Sequence, residues 1–348
     1  MSLSALAEVL PRPYFDEGGV FRLGQPQEVL SLPLSDSLRV FAFSEALPHC
    51  AEPIQKLDGY LSEFVVRPES YVRKALSKFV ANVSDSSFTN VRIFFDFFGT
   101  RSKMYRSFYV HPRELVDASI SLDCSRLSKY ALPVLVGHEL IHHLNHDRDL
   151  SPWIDEMMAQ QVEAEIAEGP LFDLHENISH DSQVLSFFAR EMPFKNSKEY
   201  AINSLFGSFV SSRYGAAVFR AIPNGTQSLG DFAVVLKTEP RLLIRQFVLS
   251  LNSGFEIPGW GGFAKSALIE KPGTYHLESG GFLRIDSKWS SNFVQPISTS
   301  SLEVYRVLKS GKNTKIQSVL EAVSGKWNEN FLLLINTSET EQFEIEFK

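Results

Sequence analysis

The chain has 348 residues, of which 44% are hydrophobic and 22% charged, as expected for a globular protein with a sizeable buried core. A formal net charge of −7 argues against binding to a nucleic-acid backbone, which requires clustered lysine and arginine. No apolar run approaches the roughly 20 residues needed to span a membrane, and the first ten residues lack the pattern of a signal peptide.

The N-terminal half shows a change from irregular sequence to strands and then to helices. Residues 1–36 are rich in Pro, Gly and Ser and are predicted to form an irregular lead-in. Three apolar runs of strand length follow, and after them come two segments with helical spacing. The predicted strands are residues 91–98, 104–110 and 118–122, and the predicted helices are residues 127–145 and 153–168.

A second change of pattern occurs at residues 254–262, where five of nine residues are Gly or Pro. Beyond them the chain consists of short β-type runs separated by turns, which is typical of a small antiparallel sandwich. The predicted organisation is therefore an α+β body over 37–255, with a small mixed sheet followed by helices. The predicted C-terminal domain, over 256–348, is a β-sandwich-like accessory domain whose partner is unknown.

The chain has two cysteines, Cys50 and Cys124. Two cysteines do not make a disulfide framework, and cysteine is among the residue types most often buried. We expect two unpaired, partly buried thiols, and the compartment is left open.

Four of the nine histidines lie in the run HELIHHLNH, residues 138–146. His138 and His142 are one helical turn apart on the same face, so both imidazoles can reach one ion at about 2.0–2.1 Å. Glu139 would flank that ion rather than coordinate it, and from there it can accept a proton from a water molecule. The surrounding residues are apolar, so the sequence predicts a metal site on a buried helix, with Glu139 as general base.

A catalytic site of this kind needs a third protein ligand, and three residues are candidates. His146 continues the helix face, but about 12 Å of helix rise separates it from His138 unless the helix breaks near Asn145. Glu156 lies at the start of a helix that is predicted to return antiparallel to the first. Glu163 lies about 10 Å further along that second helix. We favour Glu156, although a carboxylate in a first turn also interacts favourably with the helix dipole.

The run HELIHHL followed by WIDEMMAQ resembles the H-E-x-x-H … W-x-x-E-G-x-A pattern of gluzincin metallopeptidases. The likeness is greatest to the hyicolysin-type and bacterial-collagenase-like groups, and it extends over about residues 91–251. It includes the segment 200–215, which is similar to a helix with the pattern Y-x-x-x-x-x-F-x-x-[YF]-[LV]-x-x-x-Y-G. Met157 stands where the family usually has glycine, and Gln160 stands where an acidic residue is frequent.

The resemblance implies a gluzincin-type fold and a zinc ion (Zn2+) held by His138, His142 and Glu156. It also implies a zinc-dependent peptidase acting on protein or peptide substrates, in which Glu139 is the general base and Tyr200 donates to the oxyanion. Further expectations concern a hydrogen bond from a ligand histidine to Gln160 and pairing of substrate with the strand at 104–110. The expected location is secreted or periplasmic if a leader was removed, and otherwise cytoplasmic. The other oxyanion candidates are Tyr214, His175 and His180.

Two alternative functions belong to different classes. One is a non-catalytic, zinc-stabilised scaffold or adhesion protein, which would have no use for the base Glu139. The other is a zinc hydrolase of non-peptide substrates, since fold alone does not choose a substrate.

Overall fold

A computed structural model gives the fold, which is mixed α/β with a curled six-stranded sheet and two smaller antiparallel sheets. The chain divides into two compact units, residues 1–149 with 158–171, and residues 150–157 with 172–348. The structure describes residues 8–15, 21–33, 38–50, 70–84, 87, 91–98, 107–110, 118–127, 131–167, 197–253, 257–258, 273–277, 280–286, 301–310, 313–318, 331–338, 341 and 343–347.

The first unit contains the six-stranded sheet and the helices α1 (Tyr71–Phe79) and α2 (Ala131–Asn145). A third helix, α3 (Pro152–Ile166), begins in the second unit and ends in the first. The strands are β1 (Glu8–Phe15), β2 (Phe21–Pro33), β3 (Leu38–Phe43), β4 (Val91–Asp96), β5 (Ser107–Val110) and β6 (Ser119–Asp123).

The order of the strands is β1-β2-β3-β4-β6-β5, with β3, β4 and β6 parallel and the other neighbours antiparallel. The predicted mixed sheet is therefore confirmed, and its three predicted strands correspond to β4, β5 and β6. Residues 104–106, the start of the second predicted strand, lie outside the described residues. The two predicted helices correspond to α2 and α3.

The prediction of an irregular lead-in over residues 1–36 is wrong, because β1 and β2 form an antiparallel hairpin there. Proline cannot donate to a β-ladder, but it is tolerated at sheet edges and at bulges. Strand β1 is an edge strand, and its register shifts between Pro11 and Pro13. Between these prolines, Arg12 pairs with the buried carboxylate of Asp96 on β4 and lies over the ring of Phe43. The hairpin is thus held by contacts between residues far apart in sequence.

The prediction of two unpaired thiols is also wrong, because Cys50 and Cys124 form a disulfide. Cys50 follows β3 closely, and Cys124 directly follows β6, so the bond joins chain segments next to the carboxyl ends of two parallel strands. Strand β4 lies between those strands in the sheet. The sequence separation of 74 residues explains why spacing alone did not indicate the pair.

The second unit contains the remaining helices and two antiparallel sheets, in the orders β10-β9-β11-β8 and β12-β7. Its helices are α4 (Ser197–Tyr214), α5 (Ala217–Arg220), α6 (Leu229–Val235) and α7 (Pro240–Ser253). Its strands are β7 (Gly273–Leu277), β8 (Phe282–Asp286), β9 (Leu302–Ser310), β10 (Asn313–Ser318), β11 (Phe331–Asn336) and β12 (Phe343–Phe347).

Both small sheets contribute to one hydrophobic cluster, as the layers of a sandwich do. It contains Leu277 and Ile345 from the two-stranded sheet, and Leu283, Ile285 and Leu334 from the four-stranded sheet. The small antiparallel sheets expected from the sequence are therefore present. The predicted boundary between residues 255 and 256 lies inside the second compact unit and stays a prediction.

An ionic network links helix α7 to strand β9 within the second unit. The guanidinium of Arg245 pairs with both carboxylate oxygens of Glu303, and the hydroxyl of Tyr305 donates to the same carboxylate. Burial and this hydrogen bond raise the pKa of Tyr305, so the phenol stays protonated and remains a donor. In the part of the chain that the structure describes, no helix is both long and apolar enough to cross a lipid bilayer.

Removing the disulfide tests its contribution to stability. We expect Cys50→Ser with Cys124→Ser to lower the free energy of unfolding by about 4 kcal/mol, because the unfolded chain regains the freedom of a long loop. Urea denaturation of the variant and of wild type measures the difference. Reduction of wild type should reproduce it, and a thiol titration showing two free cysteines in unreduced protein would contradict the assignment.

Candidate metal centre

Helix α2 carries the first two predicted ligands and is buried along most of its length. Its residues 132–137 and 139–141 are buried, in keeping with a helix that is apolar on nearly all sides. The α-helix ends at Asn145, whose side-chain oxygen accepts from Arg148, and Asp149 then takes a left-handed conformation. The chain therefore turns sharply after His142 and enters α3.

The start of α3 is anchored within the second unit by Trp153. Its indole packs edge-to-face against Phe206 and Phe232, and its backbone oxygen accepts a hydrogen bond from Asn203. Trp153 precedes Glu156 by three residues, so this packing fixes the first turn of the helix that carries the third predicted ligand. The motif W-x-x-E thus combines an apolar anchor with a carboxylate on the same helical turn.

The three predicted ligands come together. His138, His142 and Glu156 each offer one metal-ligand atom, and the three atoms lie within 4.8 Å of one another. All three residues are half-buried. The two Nε2 atoms of the histidines are 3.2 Å apart. Two ligands of one tetrahedral ion, each at about 2.0–2.1 Å, would be about 3.3–3.4 Å apart. Two imidazole nitrogens and one carboxylate oxygen are also a donor set that suits a divalent metal, so the residues present fit such an ion.

Glu163 orients the first histidine rather than joining the ligands. Its Oε1 lies 3.0 Å from Nδ1 of His138, close enough for an ion pair though outside the geometry of a directed hydrogen bond. A carboxylate facing Nδ1 favours the tautomer with its proton there, which leaves the lone pair of Nε2 for a metal. The expected contact from Gln160 is not found: its buried amide has no hydrogen-bond partner among the described residues.

Glu139, the predicted general base, is 3% exposed and has a defined partner. The hydroxyl of Ser107, on β5, donates to its Oε1 at 2.6 Å. The sequence analysis missed Ser107, because no local pattern links residues 32 positions apart. Glu163 could have been recognised in its supporting role, since it lies two turns after Glu156 on the same face of α3.

The other candidates occupy different places. Helix α2 does break at Asn145, but His146 pairs with Asp147 and is not part of the three-residue group. Tyr200 lies in the first turn of α4 with its side chain half-buried, and its role as an oxyanion donor stays a prediction. The hydroxyl of Tyr214 donates to Gln246. The remaining candidates, His175 and His180, lie outside the described residues.

Side chains of α3 pack against α2 at Gly137, the residue before the first predicted ligand. A Cβ atom built there would lie 2.5 Å from Cδ1 of Ile166 and 3.2 Å from Cγ1 of Val162. Real Cβ atoms do not approach other atoms as closely as the first distance. The absence of a side chain at residue 137 therefore allows the C-terminal half of α3 to pack against α2 beside the histidines.

No protein-family model matches the chain, and a search of curated proteins finds no significant relative. The likeness to gluzincins consequently depends on the motif residues themselves and stays a prediction.

Substituting Glu163 tests its support of His138. We expect Glu163→Gln to weaken zinc affinity by about 10- to 100-fold, since the carboxylate that orients the ligand is lost. Competition with a chelating dye measures the affinity. Glu165→Gln is the matched control, because Glu165 lies two residues along the same helix and pairs instead with Lys78 near the surface. Equal affinities for the two variants would contradict the role of Glu163.

Proposed function

We propose that the protein is a zinc-dependent peptidase that hydrolyses peptide bonds in protein or peptide substrates. The observation that carries this proposal is the grouping of His138, His142 and Glu156, with Glu139 buried on the same helix as the histidines. A site that only stabilised the fold would have no use for the general base Glu139. The resemblance to gluzincins adds zinc as the metal and peptide bonds as the substrate class.

The roles of the residues follow from their chemistry. His138, His142 and Glu156 would hold the ion, and one coordination position would be left for water or substrate. Bound zinc would lower the pKa of a water molecule and polarise the scissile carbonyl group. Glu139 accepts a proton from the attacking water and later delivers it to the leaving amine. Tyr200 is proposed to donate a hydrogen bond to the developing oxyanion.

The disulfide bears on where such an activity would operate. Disulfides persist in oxidising compartments and are rare where thiols are kept reduced. The Cys50–Cys124 bond therefore supports the proposal that the protein works outside a reducing cytosol, as the resemblance implies. This favours substrates that are met in an oxidising environment.

Two substitutions separate metal binding from catalysis. We expect purified wild type to hold one zinc per chain by mass spectrometry and to cleave casein. Glu156→Gln should lose or weaken the zinc, since a charged ligand is replaced by a neutral amide. Glu139→Gln should keep the zinc but reduce cleavage by about 10²- to 10⁴-fold, as expected when a general base is removed.

Each alternative function predicts a different result in the same experiment. Zinc without cleavage of casein or of any peptide would favour the scaffold or adhesion protein. Cleavage restricted to non-peptide substrates in a panel of esters and amides would favour the other zinc hydrolase. If wild type binds no zinc even after reconstitution, the His-Glu-His run is structural and the proposal is wrong. Glu165→Gln serves again as the control for fold and zinc content.

A further inference from the structure

The short strand β5 is attached to helix α2 by two side-chain contacts in regular spacing. Ser107 and Tyr109 are two residues apart, so both point to the same face of the strand. Their partners on α2, Glu139 and His143, are four residues apart and lie on one face of the helix. All four residues belong to the first compact unit. The periodicities of strand and helix therefore match over one helical turn.

The contact at Tyr109 has a defined direction of hydrogen bonding. Nε2 of His143 lies 3.0 Å from the backbone oxygen of Ser87, which can only accept, so Nε2 carries the proton. In the neutral ring with its proton on Nε2, Nδ1 accepts from the hydroxyl of Tyr109 at 3.2 Å. This chain of contacts fixes the middle of β5 against the last turn of α2.

The contact at Ser107 falls on the carboxylate of the proposed base. An ionised carboxylate only accepts, so the Ser107 hydroxyl donates to Oε1 of Glu139, at 2.6 Å. A donor on Oε1 restricts rotation of the carboxylate and leaves Oε2 to accept a proton. Because β5 is held independently at Tyr109, the hydroxyl of Ser107 is itself fixed in position.

We propose that Ser107 is a positioning residue for catalysis, whose hydroxyl holds the carboxylate of Glu139 in the orientation that accepts a proton from water. The inference rests on the proposed peptidase function. Ser107 does not touch the reacting atoms but acts through Glu139. Misplacement of a catalytic group by about 1 Å can lower the rate by about 100-fold, so a single donor at this place is sufficient to matter.

Three variants test this role in the full-length zinc protein. Ser107→Ala removes the hydroxyl, and Ser107→Thr restores it on a side chain that suits a β-strand. Tyr109→Phe removes the other hydrogen bond between β5 and α2 while leaving the donor to Glu139 intact. For each variant, kcat and KM on a peptide substrate, zinc content and melting temperature are measured. A crystal structure of each variant gives the orientation of the Glu139 carboxylate without reference to activity.

We expect Ser107→Ala to lower kcat by about 10- to 100-fold with KM within about two-fold of wild type and zinc retained. Its crystal structure should show the Glu139 carboxylate rotated or in several orientations. Ser107→Thr should recover kcat to within about three-fold of wild type and restore the carboxylate orientation. The fold-decrease in kcat should be at least about ten times larger for Ser107→Ala than for Tyr109→Phe. The reason is that Tyr109→Phe keeps the hydroxyl that donates to Glu139.

Several results would overturn the inference. A kcat for Ser107→Ala within two-fold of wild type would do so, as would failure of Ser107→Thr to recover activity. Equal losses in Ser107→Ala and Tyr109→Phe would show that attachment of the strand matters rather than the donor on Glu139. In each of these cases wild type is active and Glu139→Gln is not, so the peptidase function stands. Absence of turnover by wild type would instead overturn both proposals.

Discussion

The packing of side chains from α3 against α2 is the constraint on which the candidate site depends. Side chains of His and Glu reach only a few ångströms from their backbones, so ligands on two helices can share an ion only where the helices nearly touch. Gly137 makes room for this packing, since a methyl group there would lie 2.5 Å from Cδ1 of Ile166, whose side chain would have to move. The first ligand, His138, is the next residue along the chain. The packing at Gly137 and the predicted metal ligands therefore occupy the same stretch of α2.

Charge at the site is arranged to suit a cation. Glu139 and Glu163 are buried, and a buried carboxylate is unfavourable unless it is paired or hydrogen-bonded. Here one carboxylate accepts from the hydroxyl of Ser107, and the other lies beside the imidazole of His138. Together with Glu156, they make three carboxylates on the two helices that carry the predicted ligands. A divalent ion held between the histidines would be attracted by all three carboxylates, which is the electrostatic counterpart of the geometric fit.

Local spacing predicted the grouping of His138, His142 and Glu156 because their arrangement is determined within one or two helical turns. His138 and His142 follow from helix periodicity, and Glu156 follows from a helix that reverses after a short turn. Longer-range features could not be predicted in this way. The partner of Cys50 lies 74 residues away, and the donor to Glu139 lies on a strand 32 residues earlier. Strand formation before residue 36 was missed because prolines argue against strands, whereas an edge position tolerates them.

The same prolines give the two ends of the sheet different properties. Strand β1 forms one edge, and Pro11 and Pro13 have no N–H groups to offer to a neighbouring chain. Strand β5 is the edge strand at the opposite side of the sheet, and each of its four residues, SFYV, has a backbone N–H group. Growth of the sheet by addition of a foreign strand is therefore disfavoured at β1. The backbone chemistry for main-chain pairing is retained at the end that also carries Ser107, beside Glu139.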